Sequence, residues 1–117
     1  MPAKFKDLCL DAADARALAE WWCTAMDYRL APGTESNDHG KWAGAIEDPG
    51  GKGPLIWITP VPEGKTLKNR MHHDVFGDVQ ELLALGATLV RPRDEEIAWD
   101  VMADPEGNEF CVFTPED

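Results

Sequence analysis

The stretch that decides the fold is Asp104-Pro105-Glu106-Gly107, which stands just before the apolar run Phe110-Cys111-Val112-Phe113. A related stretch, Asp48-Pro49-Gly50-Gly51, precedes Leu55-Ile56-Trp57-Ile58. In each stretch the aspartate can bond back to the turn backbone, proline pre-sets φ and glycine supplies a strain-free exit. Each stretch therefore predicts a hairpin tip that leads into a strand. The two aspartates are 56 positions apart, which indicates a unit of ~60 residues built twice.

The first unit is predicted as strand, helix, strand, strand, strand. Polar and apolar residues alternate over Phe5–Ala12, as in a half-buried strand. Asp14 is the predicted N-cap of an amphipathic helix of about 13 residues, because apolar residues then recur at a spacing of three to four. The further strands are predicted over 28–31, 41–47 and 55–59, with a polar, mobile loop over 34–40.

The same order restarts after a segment rich in proline, glycine and lysine over 59–70, which is predicted as a linker. In the second unit Asp78 takes the place of Asp14 as N-cap, and Gly86 ends the shorter helix. Strands are predicted over 71–76, 88–91, 98–103 and 109–114, with the acidic stretch 94–96 as a solvated loop.

Composition narrows the classes of partner. The 117 residues carry 11 basic and 22 acidic side chains, a net charge of −11, which disfavours nucleic acid as a partner. This excess of acidic side chains either keeps the protein soluble or, as the alternative, attracts a cationic ligand. No apolar run is long enough to span a membrane, and residues 1–6 have no signal-peptide core, so we expect a cytoplasmic protein. The three cysteines are widely spaced, which favours free thiols.

Two βαβββ units predict an α+β fold in which two curved, four-stranded mixed sheets enclose a cavity, with the helices outside. We expect one domain over 1–117, with module one at about 4–60, the linker at 60–70 and module two at about 70–115. A family resemblance is carried by three stretches of the sequence, at 8–14, at 61–74 (including Lys68) and at 103–110. They resemble the vicinal oxygen chelate superfamily, the glyoxalase and bleomycin-resistance fold, and in particular its compact bacterial glyoxalase-like proteins.

That resemblance also indicates where a metal would bind, because metal-dependent members take ligands from the first and last strands of each unit. The corresponding positions here are Asp7, His72, Cys111, and either Leu55 or Trp57. Leucine and tryptophan cannot ligate a metal, and a buried cysteine is more often a small hydrophobe. We therefore expect no essential metal. A divalent ion held by Asp7 and His72 is the alternative, while Glu109 matches a structural glutamate of the resembled motif.

His72, His73 and Asp74 are the residues most suited to chemistry. On a strand, His72 and Asp74 share one face, which the match to the first unit turns into the cavity, whereas His73 faces the helix. An aspartate beside a histidine can fix its tautomer, which suits a general base. The alternatives are that Asp74 only holds backbone or loop groups, and that Cys111 is a nucleophile beside His72.

The five tryptophans offer apolar and cation-binding surfaces. Trp22 lies on the core face of the first helix, while Trp42, Trp57 and Trp99 fall on predicted strands. Trp57 is expected on the cavity face, where Phe113 would join it; the alternative is that these rings only fill a small core.

Together these features predict a glyoxalase-like protein that binds a small organic molecule between its modules without an essential metal, and that sequesters a toxic or cationic compound. The predicted ligand-binding residues are Asp7, Trp57, His72, Asp74 and Cys111, of which His72 and Asp74 are the candidates for catalysis. The alternatives are a metal-dependent lyase, isomerase or dioxygenase, and a metal-free enzyme with His72 as general base. A homodimer is expected because superfamily members often pair.

Overall fold

The computed structural model describes residues 2, 4–38, 40–67 and 69–114, so Lys68 and the expected end of module two at 115 lie outside the described residues. The chain divides into two compact units, Met1–Gly64 and Lys65–Asp117. Within the described ranges the elements are two helices and nine strands. Their order is β1 (Leu8–Ala12), α1 (Ala15–Met26), β2 (Arg29–Leu30), β3 (Ser36–Asp38), β4 (Lys41–Glu47), β5 (Ile56–Pro60), β6 (His73–Phe76), α2 (Val79–Leu85), β7 (Thr88–Arg91), β8 (Asp100–Ala103) and β9 (Glu109–Phe113).

The two units repeat one topology. The first sheet has the order β1-β5-β4-β2, and the second has the matching order β6-β9-β8-β7. In each sheet the first strand pairs in parallel with the last, and the other pairs are antiparallel. The predicted α+β fold of two βαβββ modules with mixed sheets is confirmed.

The repeated turns are hairpin tips, as predicted. Asp48 accepts hydrogen bonds from the backbone N–H groups of residues 50, 52 and 53 at the β4–β5 turn. Asp104 accepts from those of residues 106 and 108 at the β8–β9 turn, and also from the Asn108 side chain. Gly51 and Gly107 have φ values of 72° and 88°, where a side chain would strain the backbone.

The helix caps also follow the sequence. Asp14 Oδ1 accepts a hydrogen bond from Ala17 N at 3.1 Å, and Asp78 Oδ1 accepts from residues 80 and 81. Gly86, in the left-handed region at φ 115°, ends α2. Because these bonds satisfy otherwise unpaired N–H groups, each helix begins at the residue after its aspartate.

Each unit has its own core on the helix side of its sheet. In the first, α1 packs on β4 and β5, and Trp22, Ile46 and Ile58 are fully buried. In the second, Phe110 and Val112 of β9 are fully buried, and Val112 lies with Leu82 of α2 against Gly77. Alternation along β9 therefore fixes which of its side chains face away from the core.

Three sequence expectations were wrong in detail. The loop predicted over 34–40 contains β3, which pairs antiparallel with the start of β4 and makes the first sheet five-stranded. This strand is polar and is held through its backbone, so no apolar alternation marks it. Trp99 does not lie on a strand, because β8 begins at Asp100. His72 likewise precedes β6, which begins at His73.

Among the described residues, no helix is both long enough and apolar enough to cross a membrane.

Candidate functional site

One face of the second sheet carries the reactive side chains. In the pairing of β6 with β9, Asp74 lies opposite Cys111, and in that of β8 with β9, Val101 lies opposite Cys111. Because strand side chains alternate, Cys111 and Phe113 face away from the core that Phe110 and Val112 fill.

A groove of about 440 Å³ lies over this face; we call it the thiol groove. Its apolar wall consists of Val90, Ile97, Trp99, Val101 and Phe113. The rings of Trp99 and Phe113 are 5.6 Å apart between centroids, at an angle of 35°. Its volume lies within the range of about 300–1,000 Å³ usual for small-molecule sites, and the two rings offer a surface to a planar ligand.

The polar lining of the thiol groove consists of His72, Asp74, Arg91, Glu109 and Cys111. Three of these form a cluster, in which one donor atom each of His72, Asp74 and Cys111 lies within 4.8 Å of the other two. His72 Nδ1 is 3.2 Å from Asp74 Oδ1, close enough for a hydrogen bond that would orient the ring. The Cys111 residue is only 7% exposed, while the side chains of His72 and Asp74 are 33% and 60% exposed.

Glu109 has a structural role, in keeping with the motif that it matches. Its carboxylate accepts hydrogen bonds from Lys65 Nζ and from Asn69 N, both at 2.7 Å. Asn69 Oδ1 in turn accepts a bond from Glu109 N at 3.1 Å. Burial raises the pKa of Glu109, but these donors outweigh it and hold the pKa below its usual value. The residue therefore fastens the linker segment to the start of β9 and stays ionised.

His73 faces the opposite side of the sheet from this cluster, as its place in the alternation predicts. It is half-buried and pairs in register with the core residue Phe110. Burial lowers its pKa, and the nearby carboxylate of Asp104 only partly opposes that effect. His73 is thus favoured in its neutral form and belongs to the packing of the unit.

Asp7 and Trp57 lie in the first unit and contact one another. Trp57 Nε1 donates a hydrogen bond to Asp7 Oδ2 at 2.9 Å, and Lys6 Nζ is also 2.9 Å from that oxygen. The bond from Lys6, followed by that from Trp57, lowers the pKa of Asp7. Cys9, paired in register with Trp57, has its Sγ 3.2 Å from Thr59 Oγ1. The structure thus brings His72, Asp74 and Cys111 together in one unit and pairs Asp7 with Trp57 in the other.

Sequence reasoning missed two features around the thiol groove. Trp99 forms part of the wall although it lies just before β8, so the alternation of strand side chains does not apply to it. Arg93 donates to Asp100 through its backbone N, Nε and Nη2, at 2.9, 3.0 and 2.7 Å, and so anchors the loop that carries Trp99. No sequence signal marks this pair, since the two residues are joined across an irregular loop.

The sequence matches the family model of the glyoxalase-like domain over residues 7–113, and the chain belongs to this family. The fold and the match together place it in the vicinal oxygen chelate superfamily, as the resemblance implied. No curated protein matches the sequence.

Solved structures of this superfamily share the fold at low sequence identity. The fosfomycin resistance protein FosX from Listeria monocytogenes, in a variant complexed with Mn(II) and a dihydroxypropylphosphonic acid, is 13% identical, with a TM-score of 0.71 over 99% of this chain and 95% of that one. A possible glyoxalase from Bacillus cereus is 16% identical, with a TM-score of 0.66 over 94% and 97%. TioX from Micromonospora sp. ML1 is 18% identical, with a TM-score of 0.54 over 92% and 97%.

The donor atoms of the cluster are a mixed set that does not suit a hard divalent ion. Their spacing would let one ion contact all three side chains, but they comprise one imidazole nitrogen, one carboxylate oxygen and one thiol sulfur. Mn(II) favours carboxylate, carbonyl and water oxygens, whereas a thiolate favours softer ions. Asp7, which the resemblance alone put at the corresponding position of the first unit, is already bonded to Lys6 and Trp57.

Proposed function

We propose that this protein binds a small organic molecule in the thiol groove and sequesters it, without an essential metal. The observation that carries the proposal is the groove itself, in which the apolar wall around Trp99 and Phe113 meets the polar cluster of His72, Asp74 and Cys111. An apolar surface with a few convergent polar groups is the usual composition of a ligand site.

The charges favour a cationic or neutral planar ligand. Asp74 is exposed at the groove, whereas the carboxylate of Glu109 is already paired with Lys65. Arg91 lies 3.3 Å from the carboxylates of both Asp94 and Glu96. Of the two carboxylates in the lining, Asp74 is thus the one that contacts a histidine and not a lysine, and a cation held over Trp99 would be attracted to it. The net charge of −11 would favour the approach of such a cation.

Asp7 and Trp57 remain predicted ligand-binding residues. Their hydrogen bond leaves the indole face as the surface that a ligand could contact, although Lys6 Nζ lies 5.6 Å from the ring centroid. The homodimer, the cytoplasmic location and the cavity between the modules also stay predictions.

Binding is tested by titrating the ¹⁵N-labelled protein with a panel of cationic and neutral aromatic compounds and following amide shifts. We expect saturable shifts at residues of the thiol groove, and weaker binding of the cationic compounds by Asp74→Asn. Trp99→Ala should weaken binding of both classes. Leu83→Ala, an exposed position on α2 at the opposite side of the sheet, is the matched control and should bind normally. Absence of saturable shifts across the panel would overturn the proposal.

A second candidate function is a metal-free enzyme with His72 as general base. The 3.2 Å contact between His72 Nδ1 and Asp74 Oδ1 favours it, because a carboxylate at that distance can orient the ring of a general base. His72→Ala should then abolish turnover of a bound compound while the amide spectrum stays that of a folded protein. The metal-dependent alternative is tested by elemental analysis of protein purified without chelators, where a stoichiometric divalent ion would support it.

A further inference from the structure

We propose that Cys111 is the reaction centre of the thiol groove and captures α,β-unsaturated carbonyl compounds covalently, with His72 carrying the proton and Asp74 positioning His72. The inference rests on the proposed function, since it names the class of molecule that the groove takes.

The geometry combines a nucleophile, a base and a group that orients the base. Cys111 lines the groove, and its sulfur lies within 4.8 Å of donor atoms of His72 and Asp74. His72 is joined to Asp74 at 3.2 Å. An arrangement of thiol, imidazole and carboxylate activates the thiol, because the imidazole takes the proton of the thiol and the carboxylate stabilises the imidazolium that forms.

The surroundings leave the Asp74 carboxylate beside His72 as the group that orients the base. The other carboxylate at the groove, that of Glu109, is bonded to Lys65 and Asn69 and so does not compete for His72. Cys111 lies opposite Val101 on the neighbouring strand and is only 7% exposed, so its side chain has little contact with water. A nucleophile with little hydration is more reactive than its exposed counterpart.

The walls indicate the class of electrophile. Trp99 and Phe113 offer tilted aromatic faces beside the thiol, which suit a planar conjugated molecule. The sulfur of Cys111 would form a bond to the β-carbon, and the π electrons of the double bond would move towards the carbonyl. The proton taken from the thiol by His72 then returns to the α-carbon. All atoms are retained and nothing leaves, so no oxidant, reductant or co-reactant is needed.

Solvent exposure alone predicts that Cys111 reacts more slowly than the other two cysteines, whereas the inference predicts that it reacts fastest. Cys9 is exposed, Cys23 is half-buried and Cys111 is buried. The Sγ atom of Cys9 lies 3.2 Å from Thr59 Oγ1 and 3.9 Å from Asp11 Oδ1, so its neighbours are a hydroxyl and a carboxylate. If accessibility decides the rate, Cys9 reacts first; if the cluster decides it, Cys111 does.

The test uses N-phenylmaleimide, a planar α,β-unsaturated carbonyl compound, with the full chain after removal of metals by a chelator. Cys9→Ser/Cys23→Ser leaves only Cys111, and Cys23→Ser/Cys111→Ser leaves only Cys9. We expect Cys111 to react about tenfold faster than Cys9 at pH 6.5, with a mass gain of one whole reagent. In the first background, His72→Gln should slow the reaction about 100-fold, at the lower end of a general base's contribution. Asp74→Asn should shift the rate–pH profile to higher pH, and Asp74→Glu should restore part of the rate.

Several outcomes would overturn the inference. These are modification of Cys111 only after unfolding in urea, a rate below that of Cys9, or a rate and pH profile unchanged by His72→Gln. A stoichiometric zinc ion that protects Cys111 until it is chelated would also overturn it, because the thiol would then serve a metal. Cys111→Ser separates this inference from the proposed function. If it still binds the aromatic panel reversibly while Cys111 proves unreactive in the wild type, only the covalent step fails.

Discussion

Arg93 and Asp100 form an ion pair in the second unit, in which the carboxylate is buried and the guanidinium is partly exposed; we call this pair the clamp. Asp100 is 7% exposed and accepts three hydrogen bonds from Arg93, one of them from its backbone N. Burial raises the pKa of Asp100, but the guanidinium outweighs it and keeps the carboxyl pKa below its ordinary value. The clamp ties the loop after β7 to the first residue of β8, next to Trp99.

Arg93→Ala should therefore destabilise the second unit. It leaves the Asp100 carboxylate buried with one backbone donor, which costs about 1–3 kcal/mol. Urea unfolding followed by tryptophan fluorescence measures the loss. Arg93→Lys should recover little of it, because an ammonium cannot make the paired contact of a guanidinium. Arg16→Ala, on the exposed side of α1, is a matched loss of one arginine and should have little effect. Equal losses for both alanine variants would contradict this prediction.

Asp104→Ala should be more damaging than the same change at Asp48. Both aspartates hold hairpin tips, but Asp104 is 3% exposed whereas Asp48 is half-buried. Removing Asp104 leaves the partly buried N–H groups of residues 106 and 108 without their carboxylate acceptor, a loss of about 1–3 kcal/mol. Water can replace the Asp48 carboxylate, so that variant should lose less. The free energies of unfolding of the two variants check the order, and the reverse order would refute it.

The pH dependence of stability between pH 7.5 and 5 should depend on His73. Its folded-state pKa is lowered by burial, so the unfolded chain binds more protons than the folded one as the pH falls through about 6.5. Stability should therefore be full above that pH and fall as the solution is acidified, by about 1.4 kcal/mol for each unit of pKa depression. The carboxylates with lowered pKa values, such as Asp100 and Glu109, contribute in the same direction only below about pH 4.5.

His73→Leu isolates this effect, since the first unit carries Leu8 at the matching position. The variant should show a flatter profile between pH 7.5 and 5, because the other two histidines are present in both proteins. A slope identical to that of the wild type would assign the pH dependence elsewhere.

Trp57→Phe should raise the pKa of Asp7 in the first unit. The variant removes the indole N–H that stabilises the carboxylate, but it leaves the bond from Lys6, which is the larger cause of the lowered pKa. Lys6→Ala should accordingly raise the pKa further than Trp57→Phe does. An NMR titration of the Asp7 carboxyl carbon measures both, and an unchanged value in Trp57→Phe would show that the indole bond is not formed.

Local signals predicted much of the fold because they act over a few residues. Asp14 and Asp78 start the helices, and the ranges of β4 and β7 are those expected. The predictions failed where contacts between residues distant in sequence, or across an irregular loop, decide the structure. The strand β3 is polar, and it is held by backbone pairing with β4, which its own residues do not indicate. Trp99 was misplaced because the Arg93–Asp100 clamp, a contact across an irregular loop, sets where β8 begins.

The sequence by itself determined the duplicated topology, with its hairpin tips, helix caps and alternating strands, because turn chemistry and the two-residue period of a strand are local. That a cysteine stands where the superfamily's last metal ligand would be is what the resemblance implies, and it stays a prediction. Only the tertiary structure decided that Cys111 lies opposite Asp74, that His72 Nδ1 reaches Asp74 Oδ1, and that Trp99 completes an apolar wall beside them. Those relationships depend on the register of strands distant in sequence and on loop anchoring, which are set by the packing of the whole unit.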